Sequence, residues 1–89
     1  MPRVSSYVIT FTRSARKELE RLDEPLVSRV FRQIEDLAEN PRPAECRKLV
    51  GKENLWRIRV GDYRVVYVIS DGEKTVDVIA VRHRKEVYR

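Results

Sequence analysis

Arg57 and Arg59 stand two residues apart, and Arg64 follows a Gly61-Asp62 pair by two positions. Each guanidinium is a planar, permanently charged fork that matches the oxygens of a phosphate. Alternating apolar residues flank Gly61-Asp62 on both sides, which is the pattern of a hairpin with a two-residue loop. If those two residues form the loop, Val60 pairs with Tyr63. The register then sets Arg59 opposite Arg64, Ile58 opposite Val65, Arg57 opposite Val66, and Trp56 opposite Tyr67. Side chains alternate across a strand. One face therefore receives Trp56, Ile58, Val60, Tyr63, Val65, Tyr67 and Ile69, and the other receives Arg57, Arg59 and Arg64 beside Val66 and Val68. Like charges directly opposite each other destabilise a ladder, here by roughly 1–3 kcal/mol at an effective dielectric between protein-surface and bulk values. A phosphate lying across the face would offset that repulsion. The plainer reading is a solvated sheet surface on which long stems cover apolar area and Asp77, on a neighbouring strand, takes up part of the charge. A one-residue slip would move the arginines inward, but it would expose Trp56, Tyr63 and Tyr67.

The elements that must hold this hairpin are legible around it. Tyr7 to Phe11 is rich in β-branched and aromatic residues and reads as a first strand. Thr12 is a suitable N-cap, and Ala15, Leu19 and Leu22 follow on one helical face. Asp23-Glu24-Pro25 breaks that helix and opens a second, with Pro in the first turn. Leu26, Val27, Val30, Phe31, Ile34, Leu37 and Ala38 give the second helix a core-facing stripe, and Asn40-Pro41-Arg42-Pro43 ends it. From Leu49 onward the period becomes two. Strands are expected over 55–60, 63–69 and 76–81, with a turn at Asp71-Gly72 and a basic tail from Arg82 to Arg89. The expected fold is α+β, in the order β-α-α-β-β-β: an antiparallel sheet of about four strands with a two-helix hairpin on one face. Nothing local places the first strand within the sheet.

Composition narrows the classes. At 89 residues the chain is expected to form one domain spanning 1–89. Lys and Arg number 19 against 14 acids, a net +5, and 14 of the 19 are Arg, which suits an acidic partner such as a nucleic acid backbone. Cys46 is the sole cysteine, so an internal disulfide and a Cys-based zinc site are excluded. No cofactor or metal is implied. No apolar run longer than Val65 to Ile69 occurs, and the first residues lack the pattern of a signal peptide. The expectation is a cytoplasmic protein with no membrane partner.

Three segments, taken in order, carry a resemblance. Leu49-Val50-Gly51, then Leu55-Trp56-Arg57-Ile58-Arg59-Val60-Gly61-Asp62-Tyr63-Arg64-Val65-Val66-Tyr67, then Val81-Arg82-His83-Arg84-Lys85-Glu86-Val87-Tyr88-Arg89 together resemble the RelE/ParE toxin superfamily. The Arg pair before the hairpin and the closing Glu-Val-Tyr fit its RelE branch. The resemblance implies a ribosome-dependent endoribonuclease, or mRNA interferase, that cuts mRNA in the decoding site and is held in check by a cognate RelB-like antitoxin, acidic or partly disordered. It places catalytic roles on Arg57, Arg59, Arg64, Arg82 and Tyr88, and suggests RNA contacts from Arg84, Lys85, Lys48 and Lys52. The best-known member of the family has Lys where this chain has Arg57 and Arg59.

In such a reaction the 2′-hydroxyl attacks the adjacent phosphate and expels the 5′-oxygen. Arginines suit the stabilisation of charge in the transition state. They are poor general bases, whereas a crowded Lys can lose its proton near neutral pH. The family's Lys-based proton transfer therefore does not carry over, and His83, Lys85, Glu86 and Tyr88 are the nearby candidates. Two other readings stay open: a ParE-like toxin that inhibits gyrase without nuclease chemistry, and a catalytically weak relative whose arginine face mainly binds its antitoxin.

Overall fold

The first strand gives way to helix at Thr12. The structure, a computed structural model, describes residues 6–51 and 54–87. Strand β1 (Val8–Phe11) precedes Thr12, whose side-chain oxygen accepts from the Ala15 amide at 3.1 Å and so caps helix α1 (Arg13–Glu20). Helix α2 (Leu26–Asp36) follows, and then strands β2 (Arg47–Lys48), β3 (Leu55–Val60), β4 (Tyr63–Ser70) and β5 (Thr75–His83), with a short terminal helix α3 (Arg84–Val87). No helix among the described residues is long and apolar enough to cross a membrane.

The architecture is α+β, with α1 and α2 packed on one face of the sheet, as the patterning implies. Ala15, Leu19, Val30, Ile34 and Leu37 meet Ile58, Val60, Val65, Tyr67, Ile69, Val76, Val78 and Val81 in one core. Phe31 departs from the expected stripe. It is 43% exposed, while Val30 and Ile34 carry the buried face of α2. Tyr67 is fully buried and donates its hydroxyl to the Pro41 carbonyl at 2.7 Å, which satisfies a group that burial would otherwise penalise.

The sheet has five strands, not about four, in the order β1-β5-β4-β3-β2. Residues 47–48 add a strand too short for any propensity signal. β1 lies parallel to β5 at the edge, pairing Val8 with Thr75 through to Phe11 with Val78. In that position Ile9 and Phe11 pack against the core, while Val8 is 60% exposed. The β3–β4 register is the one the hairpin loop dictates: Val60 pairs with Tyr63, Arg59 with Arg64, Arg57 with Val66, and Trp56 with Tyr67.

Between β4 and β5 the ladder is irregular. Val66 pairs with Ala80 but Tyr67 pairs with Val78, so Ile79 is the extra residue of a bulge. The bulge resets the alternation of β5. Counted in twos from the buried Val76 and Val78, Ala80 and Arg82 would turn inward. Instead Val81 joins the core, and Arg82 pairs with Arg64 on the opposite face.

Candidate phosphate-binding site

Register and alternation put Arg59 of β3, Arg64 of β4 and Arg82 of β5 in one row across three strands, on the face away from the helices. Arg57 lies in the adjacent row of the same face, opposite Val66. The hairpin arginines thus share a side. Their environments differ, because β4 is the central strand: Arg64 is only 7% exposed, Arg57 is half-buried and Arg59 is exposed. A residue in the middle of a sheet is walled by the side chains on either hand, here two long stems. Asp77 sits elsewhere, opposite Val68, and its carboxylate accepts from the Thr10 hydroxyl at 2.7 Å.

The hairpin end of this row opens into a cleft of about 100 Å³ lined by Arg59, Gly61, Asp62, Tyr63, Arg64 and Arg84. Gly61 has φ +60°, the left-handed conformation that a tight hairpin loop requires. The Arg84 amide donates to the Asp62 carbonyl at 2.8 Å, so the start of α3 is docked on the hairpin loop. The basic tail is therefore not a trailing segment. Arg82 and His83 complete β5, and α3 begins at Arg84.

A second, wider groove of about 340 Å³ is lined by Glu45, Arg47, Arg57 and Arg59, and it shares Arg59 with the first. Arg47 was not among the residues singled out in the sequence. It pairs with Arg57 across β2 and β3 and so stands on the arginine side. Only the register of a two-residue edge strand brings it there, and the sequence offers no periodicity over so short a stretch.

Two predicted residues fall on the other side. Lys48 pairs with Trp56, which packs against the core, so Lys48 points away from the arginines. His83 pairs with Tyr63, and their rings meet edge to face at 5.3 Å. Its Nδ1 accepts from the Lys85 amide at 3.2 Å, which engages that nitrogen at the start of α3. Lys85 is exposed on α3. Lys52 and Tyr88 lie outside the described residues, as does the side chain of Glu86. Among the described residues no three His, Cys, Asp or Glu side chains come together as a metal site would need.

Arg82 is held in place. Its Nε donates to Glu18 Oε2 at 2.9 Å, while Glu18 Oε1 accepts from the Val81 amide at 2.8 Å. This carboxylate lies on α1, far from the hairpin in sequence.

A five-stranded sheet with one parallel edge and two helices on one face is the fold of a known class of small toxin. Residues 9–88 match the family model of the ParE toxin of the type II toxin–antitoxin system, parDE. Toxin RelE of Mycobacterium tuberculosis is 33% identical over 84 residues, covering 93% of this chain and 87% of the relative. The mRNA interferase toxin RelE of Escherichia coli K12 is 32% identical over 87 residues, covering 93% of this chain and 90% of the relative. Among solved structures, the archaeal RelE–RelB complex from Pyrococcus horikoshii superposes with a TM-score of 0.79 at 27% identity, covering 89% of this chain and 96% of that one. The isolated E. coli RelE toxin also superposes with a TM-score of 0.79, at 30% identity, covering 93% and 92%. The chain belongs to the RelE/ParE superfamily, the toxins of type II toxin–antitoxin systems. Its similarity to RelE proteins extends over nearly its whole length.

Proposed function

We propose that this toxin is an endoribonuclease, an mRNA interferase that cuts mRNA in the ribosomal decoding site and so blocks translation. The observation that carries the reading is the row Arg59, Arg64 and Arg82, its middle member buried and its hairpin end opening on a cleft that Arg84 also lines. Like charges in register repel one another; Glu18 offsets part of the charge at Arg82, and a phosphate bridging the row relieves the repulsion further. The E. coli relative named an mRNA interferase supports the same reaction.

In the proposed reaction the 2′-oxygen forms a bond to phosphorus as the bond to the 5′-oxygen breaks, leaving a 2′,3′-cyclic phosphate and a 5′-hydroxyl. Arg59, Arg64 and Arg82 stabilise the negative charge that builds on the phosphoryl oxygens, each preorganised donor contributing on the order of 3 kcal/mol. Arg57, with Arg47 across from it, holds the neighbouring stretch of backbone. The 2′-oxygen must lose a proton and the 5′-oxygen must gain one. Among protein groups these transfers fall to the tail, Lys85, Glu86 and Tyr88, or else to the ribosome. His83, packed edge to face against Tyr63 on the far side, is set aside. The partner that silences the toxin is a RelB-like antitoxin, an acidic or partly disordered chain that orders itself over the basic face. The RelE–RelB complex of P. horikoshii supports that pairing.

The test is cleavage of mRNA on programmed ribosomes. Wild-type protein should produce discrete cuts, and Arg64→Ala should lower the rate by about 100-fold or more, the usual loss when a preorganised donor is removed, with the circular dichroism spectrum unchanged. DNA damage in cells without transcript cleavage would point to a gyrase-directed toxin instead.

A further inference from the structure

β1 ends at Phe11, so the far edge of β5 has no strand neighbour beyond Val78. Helix α1 takes over that edge. The Thr12 amide donates to the Val78 carbonyl at 2.9 Å, and the Thr12 hydroxyl approaches the Ile79 carbonyl at 3.4 Å. Nearly two turns on, Glu18 grips Val81 and Arg82. Oε1 accepts the edge amide of Val81 and Oε2 accepts Nε of Arg82. A single carboxylate thus holds the backbone at one residue and the side chain at the next. With Oε1 pinned by the strand, Oε2 has a fixed position from which to orient the guanidinium. A carboxylate at Nε directs the two terminal nitrogens, the fork that fits phosphate, away from itself.

We propose that Glu18 is the positioning residue that sets the Arg82 guanidinium for RNA phosphate, an assignment that rests on the nuclease reading above. The ion pair is too exposed to matter much for stability, with Arg82 at 48% and Glu18 at 22% side-chain exposure. Its position is the informative part. Arg82 stands in the row of Arg59 and Arg64 only because of the bulge at Ile79, and α1 clamps that bulge on both sides. A negative charge beside a phosphate site weakens its attraction for RNA, so this placement serves geometry rather than net charge.

A double-mutant cycle on programmed ribosomes tests this, using Glu18→Gln, Arg82→Ala and the pair. Glu18→Gln keeps an oxygen for the Val81 amide and should lower kcat by roughly tenfold or more, as misplaced charged groups do, with little change in KM. In the Arg82→Ala background the same substitution should cost nothing further. Equal losses in both backgrounds would overturn the proposal, as would a Glu18→Gln variant that binds ribosomes more tightly at unchanged kcat. Arg82→Lys keeps the charge and leaves the Glu18–Val81 bond intact, but it has no Nε–H. It should be as slow as Arg82→Ala, and an active Arg82→Lys would overturn the proposal even where Glu18→Gln fails to fold. A wild-type protein that does not cleave would remove the nuclease reading itself and the positioning role with it, whereas an Arg82→Ala variant as fast as wild type would leave the nuclease standing and overturn the positioning role alone.

Discussion

Arg64 and Arg47 show how much a residue's meaning depends on its neighbours. Arg64 looks like any surface arginine of an alternating strand, yet the central position of β4 leaves it 7% exposed between Arg59 and Arg82. Arg47 and Lys48 are adjacent cations whose side chains face opposite ways, one toward Arg57 and the other toward Trp56. That difference makes a prediction. Binding of a single-stranded RNA oligonucleotide should weaken with salt, and each lost phosphate contact should flatten the log–log slope by about 0.7. Arg47→Ala is expected to flatten it by about that amount, while Lys48→Ala leaves it unchanged. Identical slopes for the two variants would mean that the two sides of β2 do not differ in contacting RNA.

At the scale of elements, Thr12 ties two of them together. Its hydroxyl oxygen accepts from the Ala15 amide to cap α1, and its O–H donates to the bulge carbonyl of Ile79 in β5. Loss of an N-cap oxygen alone costs about 1 kcal/mol, and loss of the strand contact adds to it. Thr12→Ala is therefore expected to lower the unfolding free energy by about 1–2 kcal/mol in denaturant titrations. Thr12→Ser, which keeps the hydroxyl, should retain most of the stability. An alanine variant within a few tenths of wild type would show that the capping geometry contributes little to holding α1 on the sheet.

At the scale of the whole molecule, a polar network fastens the end remote from the arginine cleft. The Tyr7 hydroxyl donates to Asp71 at 2.6 Å, and Arg42 grips the same carboxylate through Nη2 at 3.0 Å and Nη1 at 3.3 Å. The Arg42 guanidinium also lies 5.1 Å from the Trp56 ring centroid. Four segments meet there: the entry to β1, the loop after α2, the turn between β4 and β5, and β3. The hydrogen bond from Arg42, followed by that from Tyr7, holds the Asp71 carboxyl below its ordinary value of 3.8. A depressed carboxylate contributes stability above its unfolded pKa, and that contribution fades as pH falls through the folded value. Wild type should therefore melt above Asp71→Asn at neutral pH. The gap should close as the pH drops below about 4, and a gap that persists at pH 2 would show that charge is not its origin.

The sequence by itself determined the hairpin register, since Gly61-Asp62 and the alternation on both sides permit one pairing that hides Trp56, Tyr63 and Tyr67. It also determined both helices and the side of the sheet they cover, because Thr12 caps and the apolar stripes are local signals. The tertiary structure decided the remainder. The parallel edge position of β1 depends on where Ile9 and Phe11 find apolar contact, a long-range matter. The strand at Arg47–Lys48 exists only because β3 offers it an edge. The bulge at Ile79 left one trace, the change from a spacing of two to a spacing of three among Val76, Val78 and Val81, and that trace acquires meaning only against the β4 ladder. Sequence periodicity reports which side of its own strand a residue takes. Which strands lie side by side is settled by burial across the whole chain, and that is what brought Arg82 beside Arg64 and carried His83 away.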